Sequence, residues 1–132
     1  MLVPGSSGYA LNRSRHAYLA THLRIAATHW SRFCGLMCTG PANFPAGQGL
    51  WIVPSRGIHT LAMRFPIDVV YLDRDKVVVH IEQNLKPWHV APIRMCAASV
   101  LELPSHTLSS TGTVVGDEIE IDLGHAGKAD QA

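Results

Sequence analysis

Apolar residues fall in short runs along this chain, and polar or turn-forming residues separate the runs. The clearest case is a pair of runs at 67–72 and 77–82, which flank the polar segment Asp-Arg-Asp-Lys at 73–76. Two apolar runs joined by a short polar connection are typical of an antiparallel hairpin. Both side-chain faces of the first run are largely apolar, so we expect that strand to be buried on both sides.

Further runs have the length and the aromatic and β-branched content of strands. They cover residues 18–26, 50–53, 59–65, 100–103 and 117–123. The last run alternates apolar and acidic residues, as expected for a strand with one solvent-exposed face. Thr28 is a suitable N-cap for a short helix that ends near residue 37, and the segment that ends at Ser110 has room for one helical turn.

These elements predict a mainly β fold: a compact β-sandwich or partly closed barrel of about six or more short, mostly antiparallel strands, with one short helix near residues 28–37. We expect a single domain over residues 16–123. Residues 1–15 and 124–132 are expected to be flexible, because their small and polar side chains offer little to bury.

Charge does not point to a partner, because 11 Lys and Arg residues nearly balance 10 Asp and Glu residues. Without a basic run, nucleic acid is not an expected partner. No stretch approaches transmembrane length, and the first residues lack the charged and apolar regions of a secretory signal. The expected compartment is therefore cytoplasmic, and export of a longer precursor stays open.

Five short blocks occur in a fixed order that resembles domain-of-unknown-function family 192. They are Arg32 with Gly-Leu-Met at 35–37, Gly-Leu-Trp-Ile at 49–52, residues 59–73, Val-Leu-Glu-Leu-Pro at 100–104, and Gly-Asp at 116–117. The resemblance implies a small all-β domain. It implies no activity, cofactor or catalytic residue, because the family is uncharacterised. Cys38 and Thr39 stand where many members place an arginine.

The most informative polar residue is Asp68, a carboxylate on the same strand face as Val70 and Leu72. Such a charge needs a partner, and His59 and Arg64 in the preceding run are candidates. In one interpretation these three residues form a pocket that binds or protonates a small ligand. In the other they form a structural ion-pair network.

Glu102 is a second isolated acid, and it shares a strand face with Val100. Together with Asp68 it would make a two-carboxylate site for acid–base chemistry or a hard metal ion. The alternative is a solvated strand face. Met63 is a candidate for an apolar pocket wall or for the core, and Trp88 lies in an irregular segment, 85–92, where it would cover a cleft or meet a partner.

Metal binding is not expected from the cysteines or histidines. Cys34 and Cys38 are four residues apart and would share a helix face, but the eight histidines form no recognised zinc motif beside them. The better interpretation of these cysteines is packing within the core. Three cysteines also make a disulfide framework improbable. The sequence leaves the cofactors unknown.

Two functions of different classes follow. The first is a non-catalytic ligand- or protein-binding accessory module with a polar pocket near His59, Arg64 and Asp68, and with Trp88 at its rim. The second is a small hydrolase or isomerase-like enzyme in which Asp68 or Glu102 is the base and His59 the acid. The sequence does not decide whether the domain is an enzyme, which ligand it binds or how many copies assemble.

Overall fold

The computed structural model describes residues 7–27, 44–60 and 63–124. Within these residues there are seven strands and one short helix. They are β1 (Ser7–Asn12), β2 (Ala17–Ala26), β3 (Gln48–Ile52), β4 (Ile67–Leu72), β5 (Val78–Leu85), β6 (Ser99–Pro104), α1 (Thr107–Thr111) and β7 (Ile119–Leu123). In these ranges, no helix is long and apolar enough to cross a membrane.

The seven strands form one sheet in the order β5-β4-β6-β3-β2-β1-β7. Strands β2 and β3 are parallel, and every other neighbouring pair is antiparallel. The two edges of the sheet meet at one end, because Val78 N donates a hydrogen bond to Asp117 O (2.9 Å) and Ile119 N donates one to Lys76 O (2.9 Å). This contact curls the sheet into a half-barrel.

Apolar side chains cover both faces of the sheet, since successive residues of a strand point to opposite sides. The concave face is the one where side chains of both edge strands meet, and its buried cluster includes Leu23, Leu101 and Leu108 of α1. The convex cluster includes Leu50 and Val69 from strands and Phe44, Met63 and Ala91 from the connecting segments. Strand β4 contributes to both clusters, and all six of its residues are buried.

Most strand predictions from the sequence are confirmed. The hairpin is formed by β4 and β5, which pair in the antiparallel sense, and the mainly β fold is a partly closed barrel rather than a sandwich. The helical turn that was expected before Ser110 is α1, which extends to Thr111. The predicted helix at 28–37 lies outside the described residues, as does the tail beyond residue 124.

Two expectations differ from the structure. Residues 7–12, placed in a flexible segment, form β1 because their backbone pairs with both β2 and β7. The described residues of 59–65 are not a strand; a single bridge joins His59 to Val90. The chain turns there because the carbonyl oxygen of Thr60 accepts hydrogen bonds from Met63 N (3.2 Å) and Trp88 N (2.9 Å).

A buried polar network secures β1 to the loop before β7. Asn12 Nδ2 donates to Asp117 Oδ2 (3.0 Å) and to Thr113 Oγ1 (2.9 Å), and Arg15 Nε also donates to Asp117 Oδ2 (3.0 Å). Burial alone would raise the pKa of Asp117, but the hydrogen bonds from Arg15, Asn12 and the Val114 amide outweigh it and lower that pKa. The network therefore holds a charged carboxylate at the end where the sheet closes.

Candidate functional site

The Asp68 side chain lies on the concave side of the sheet, where both of its oxygens accept hydrogen bonds from backbone amides. Asn84 N donates to Oδ1 (2.8 Å) and Leu108 N donates to Oδ2 (2.9 Å). Both bonds link separate elements to β4: the first holds the end of β5, and the second holds the first turn of α1. The carboxylate therefore has partners that need no ligand.

Arg64 does not complete the predicted cluster with Asp68. Arg64 is exposed in the connection that precedes β4, and among the described residues no ion pair or hydrogen bond joins it to Asp68. The donors to Asp68 are backbone amides, whereas the ion-pair network of the second interpretation required the cationic side chains of His59 and Arg64.

Glu102 lies on the opposite, convex face. Its neighbours across the sheet are Leu50 of β3 and Val69 of β4, both buried apolar residues. Glu102 is itself buried, and its Oε2 has no hydrogen-bond partner among the described residues. Burial raises the pKa of Glu102 to about 8. Near neutral pH this side chain is therefore a protonated, neutral acid.

Asp68 and Glu102 do not form a two-carboxylate site. Adjacent strands β4 and β6 pair Val69 with Glu102 and Asp68 with Leu103, and paired residues share a face. Because residues 68 and 69 point to opposite sides, the two acids are separated by the sheet itself. The solvated strand face that was the alternative for Glu102 is wrong as well, since only 2% of this residue is exposed.

His59 belongs to a loop ribbon that packs over the convex face, which we define as residues 56–60 and 88–95. Backbone hydrogen bonds join its two halves: Ala91 N donates to Ile58 O (2.9 Å), and Arg94 N donates to Arg56 O (2.9 Å). Met63, which follows the ribbon's first half, is buried in the convex core. His59, Met63 and Glu102 therefore all lie on the side of the sheet away from Asp68.

Buried polar groups fix the ribbon to the rest of the domain. The Thr60 hydroxyl donates to Lys86 O (2.6 Å) and accepts a hydrogen bond from His89 N (2.8 Å). The Tyr71 hydroxyl, which projects from β4, donates to Pro92 O (2.7 Å). A Cβ atom at Gly57 would lie only 3.3 Å from Pro92 O, so the halves also approach closely. Hydrogen bonds and close backbone packing therefore attach the ribbon to β4 and join its two halves.

The outer side of this ribbon carries an exposed apolar patch, which we define as Trp88, Val90, Ile93 and Met95. Their exposed fractions are 68%, 72%, 69% and 72%, and they are four of the seven large apolar residues exposed in the described part of the chain. Of these four residues, Trp88 was the one for which the sequence predicted a surface role. For Trp88 and Val90, Pro87 and Pro92 were an available signal, because prolines at that spacing prevent the apolar residues between them from joining a central strand.

A groove of about 600 Å³ runs beside the patch. It is lined by Arg56, Gly57, Ile58, His59, Val90, Ala91, Ile93 and Met95. The segments 54–66 and 86–98, which contain these residues, include Arg56, Arg64, Lys86 and Arg94 but no Asp or Glu. The groove and the patch are therefore apolar surfaces on segments whose Lys, Arg, Asp and Glu content is entirely basic. An acid from outside these segments, Glu82 of β5, lies near Tyr71, whose hydroxyl bonds to the ribbon.

A second concave surface, of about 680 Å³, lies at the mouth of the half-barrel. Its lining includes Trp51, Lys76 and Ile121, and the Lys76 ammonium lies 5.7 Å from the centroid of the Trp51 ring. Asp122 also lines this surface, so it contains groups of both charge signs. No group of three or more potential metal ligands occurs anywhere in residues 7–27, 44–60 and 63–124.

The fold and these surfaces define a small all-β half-barrel with a buried neutral acid and an exposed apolar patch on its convex side. The chain belongs to domain-of-unknown-function family 192, described as an uncharacterised ACR, whose model matches residues 10–121. This match confirms the resemblance seen in the sequence.

Relatives of known sequence and structure agree with this assignment. A UPF0127 protein of Thermococcus sibiricus is 29% identical over 83% of this chain and 72% of its own. A UPF0127 protein of Pyrococcus furiosus is 29% identical over 83% of this chain and 95% of its own. The crystal structure of a protein of unknown function from Novosphingobium aromaticivorans has a TM-score of 0.71 at 19% identity, covering 91% of both chains. That structure supports the fold alone.

Replacement of Asp68 tests its role as an anchor. We expect Asp68→Asn to lower the free energy of unfolding by roughly 2–3 kcal/mol. The asparagine side chain has one oxygen and one NH₂ group, so one of the two backbone N–H groups would lose its acceptor and lie against another donor. Urea denaturation measures this change. Asp73→Asn is the matched control, since Asp73 also accepts two backbone amide bonds, from Asp75 and Val77, but in the turn between β4 and β5. Equal losses in both variants would contradict the anchor role.

Replacement of Glu102 tests its protonation state. The pKa of this carboxyl is about 8 when folded and 4.5 in its ordinary state, so between these values the folded protein retains a proton that the unfolded chain loses. The free energy of unfolding must therefore fall as pH rises from about 4.5 to about 8, by up to about 1.4 kcal/mol per pH unit.

Glu102→Gln removes this titration, so we expect the variant to lack the decline and to exceed the parent protein in stability at alkaline pH. Thermal and urea unfolding across this pH range measure the difference. Glu118→Gln, at an exposed position, is the control and should leave the slope unchanged. If the parent protein and Glu102→Gln show the same dependence of stability on pH over this range, Glu102 is charged in the folded protein.

Proposed function

We propose that this domain is a non-catalytic binding module and that its binding surface is the apolar patch with the adjoining groove. One observation carries the proposal: four large apolar side chains are more than two-thirds exposed on a ribbon that buried hydrogen bonds hold in place. Exposed apolar clusters of this kind mark binding sites on soluble domains. The predicted pocket contributes His59 and Trp88 to this surface, whereas Asp68 has no part in it.

The hydrogen bonds that attach the ribbon to the domain support this proposal. Apolar side chains on a mobile loop lose conformational entropy when a partner immobilises them, and this loss opposes association. In the loop ribbon, Thr60 and Tyr71 have already restricted the backbone before any partner arrives. The domain therefore presents its apolar atoms at a low entropic cost.

The charges around the patch define the chemistry of its ligand. Arg56, Lys86 and Arg94 are exposed, and the two segments that carry them contain no Asp or Glu. A ligand that combines apolar atoms with negative charge would satisfy both the patch and its surround. We therefore propose an amphipathic, anionic ligand or partner surface.

Anilinonaphthalene sulfonate is a suitable probe, because it joins an aromatic body to one negative charge. We expect it to bind the native protein and to shift the NMR resonances of residues 56–59 and 88–95. Ile93→Ser should weaken this binding about 10-fold, since it removes most of one large apolar contact. Val115→Ser is the matched control, because Val115 is an exposed apolar residue outside the ribbon.

The same titration can contradict the proposal. Shifts confined to Trp51, Ile121 and their neighbours would place the probe at the mouth of the half-barrel instead. An affinity that Ile93→Ser leaves unchanged would also exclude the patch as the binding surface.

A small enzyme is the second candidate, and the observation that favours it is the buried, protonated Glu102. With a pKa of about 8, this group would donate a proton near neutral pH, so it would act as a general acid and not as the base first considered. His59, in the ribbon over the same face, is then the candidate base. An activity carried by Glu102 should decline as pH rises through about 8 and disappear in Glu102→Gln. An activity that survives this substitution would exclude the mechanism.

A further inference from the structure

The exposed apolar patch has the properties of a surface that enters a lipid interface. From its shape, charge and backbone bonding, and resting on the proposed binding function, we infer that the loop ribbon docks the domain on an anionic lipid surface. Three features of the ribbon fit a lipid surface better than a protein partner.

The first feature is the protrusion of the apolar side chains. Val90 and Met95 are each 72% exposed, and Trp88 is 68% exposed, so most of each side chain stands clear of the domain. Hot spots of protein interfaces are usually packed at the centre of a surface whose rim excludes water. Protruding Trp and aliphatic side chains are instead characteristic of segments that lie in the headgroup region of a bilayer.

The second feature is the distribution of charge. Arg56, Arg64, Lys86 and Arg94 occur in segments without acids, although the whole chain is almost neutral. The turn between β4 and β5, in contrast, alternates Asp73 and Asp75 with its basic residues. Basic residues near an anionic bilayer are attracted to it, and an asymmetric charge distribution orients the domain with the ribbon toward the lipid.

The third feature is the bonding of the ribbon's backbone. The amides of Thr60, Trp88, His89, Ala91 and Arg94 all donate hydrogen bonds within the domain. Backbone groups without a partner are costly to move out of water. The ribbon can therefore place its apolar side chains at the edge of the acyl region while these five amides keep their bonds.

Vesicle binding tests the inference. The full chain would be sedimented with vesicles of phosphatidylcholine that contain about one-third phosphatidylglycerol, and with vesicles of phosphatidylcholine alone. We expect strong binding to the first and weak binding to the second. The tryptophan emission should shift to shorter wavelength on binding, and Trp88→Phe should remove that shift because Trp88 is the tryptophan in the patch.

Two sets of variants separate the contribution of basic side chains to vesicle binding from that of apolar side chains. Lys86→Gln combined with Arg94→Gln should weaken binding to the anionic vesicles about 30-fold, from the loss of two attractions to the surface. Ile93→Ser should weaken it about 10-fold. The matched control combines Arg13→Gln with Arg24→Gln, which removes the same net charge from exposed positions outside segments 54–66 and 86–98 and should have little effect.

Each outcome has a distinct meaning. Failure to bind either vesicle while anilinonaphthalene sulfonate still binds at the patch would overturn the lipid proposal, assign the patch to a protein partner and leave the proposed function intact. Equal loss in the control and in the Lys86 and Arg94 double variant would overturn the orientation by the ribbon. Failure of both the probe and the vesicles would overturn the binding function itself.

Discussion

The central strands of this sheet must present apolar side chains on both faces. Strand β4 meets this requirement along its whole length, because Val70 and Leu72 fill the concave core while Val69 and Tyr71 fill the convex one. The concave core is closed by the meeting of the sheet's edges and by α1. The convex core has to be covered by connecting segments, and the loop ribbon is one of them. Ala91 of the ribbon packs into this core, whereas the four patch residues of the same segment are exposed to solvent.

The same constraint explains why two acids on neighbouring strands have different roles. Asp68 lies where the ends of β5 and α1 offer backbone amides, so its charge is stabilised by hydrogen bonds. Glu102 lies between Leu50 and Val69, where the described residues offer its Oε2 no donor, and burial keeps it neutral. One acid is a structural connection between elements. Glu102 carries a proton near neutral pH, and a reaction could use that proton only if a substrate reached this side chain.

The sequence predicted the features that depend on local pattern. The hairpin of β4 and β5 was predictable because two apolar runs flank a polar connection, and β6 was predictable because Pro104 ends a short apolar run. Strand β1 was not, since its short, small-residue segment is a strand only through pairing with β2 and β7. The role of Asp68 was also beyond local pattern, because its donors are 16 and 40 residues away in the chain.

The order of the strands places the first strand of the sheet beside the last. Asn12 of β1 and Asp117, just before β7, are hydrogen-bonded across 105 residues of chain. Contacts between such distant positions form slowly, because a long loop has to close before they can stabilise anything. During synthesis, β1 has no outer neighbour until β7 has left the exit tunnel of the ribosome. Completion of this sheet therefore depends on β7, the last of its seven strands to be synthesised.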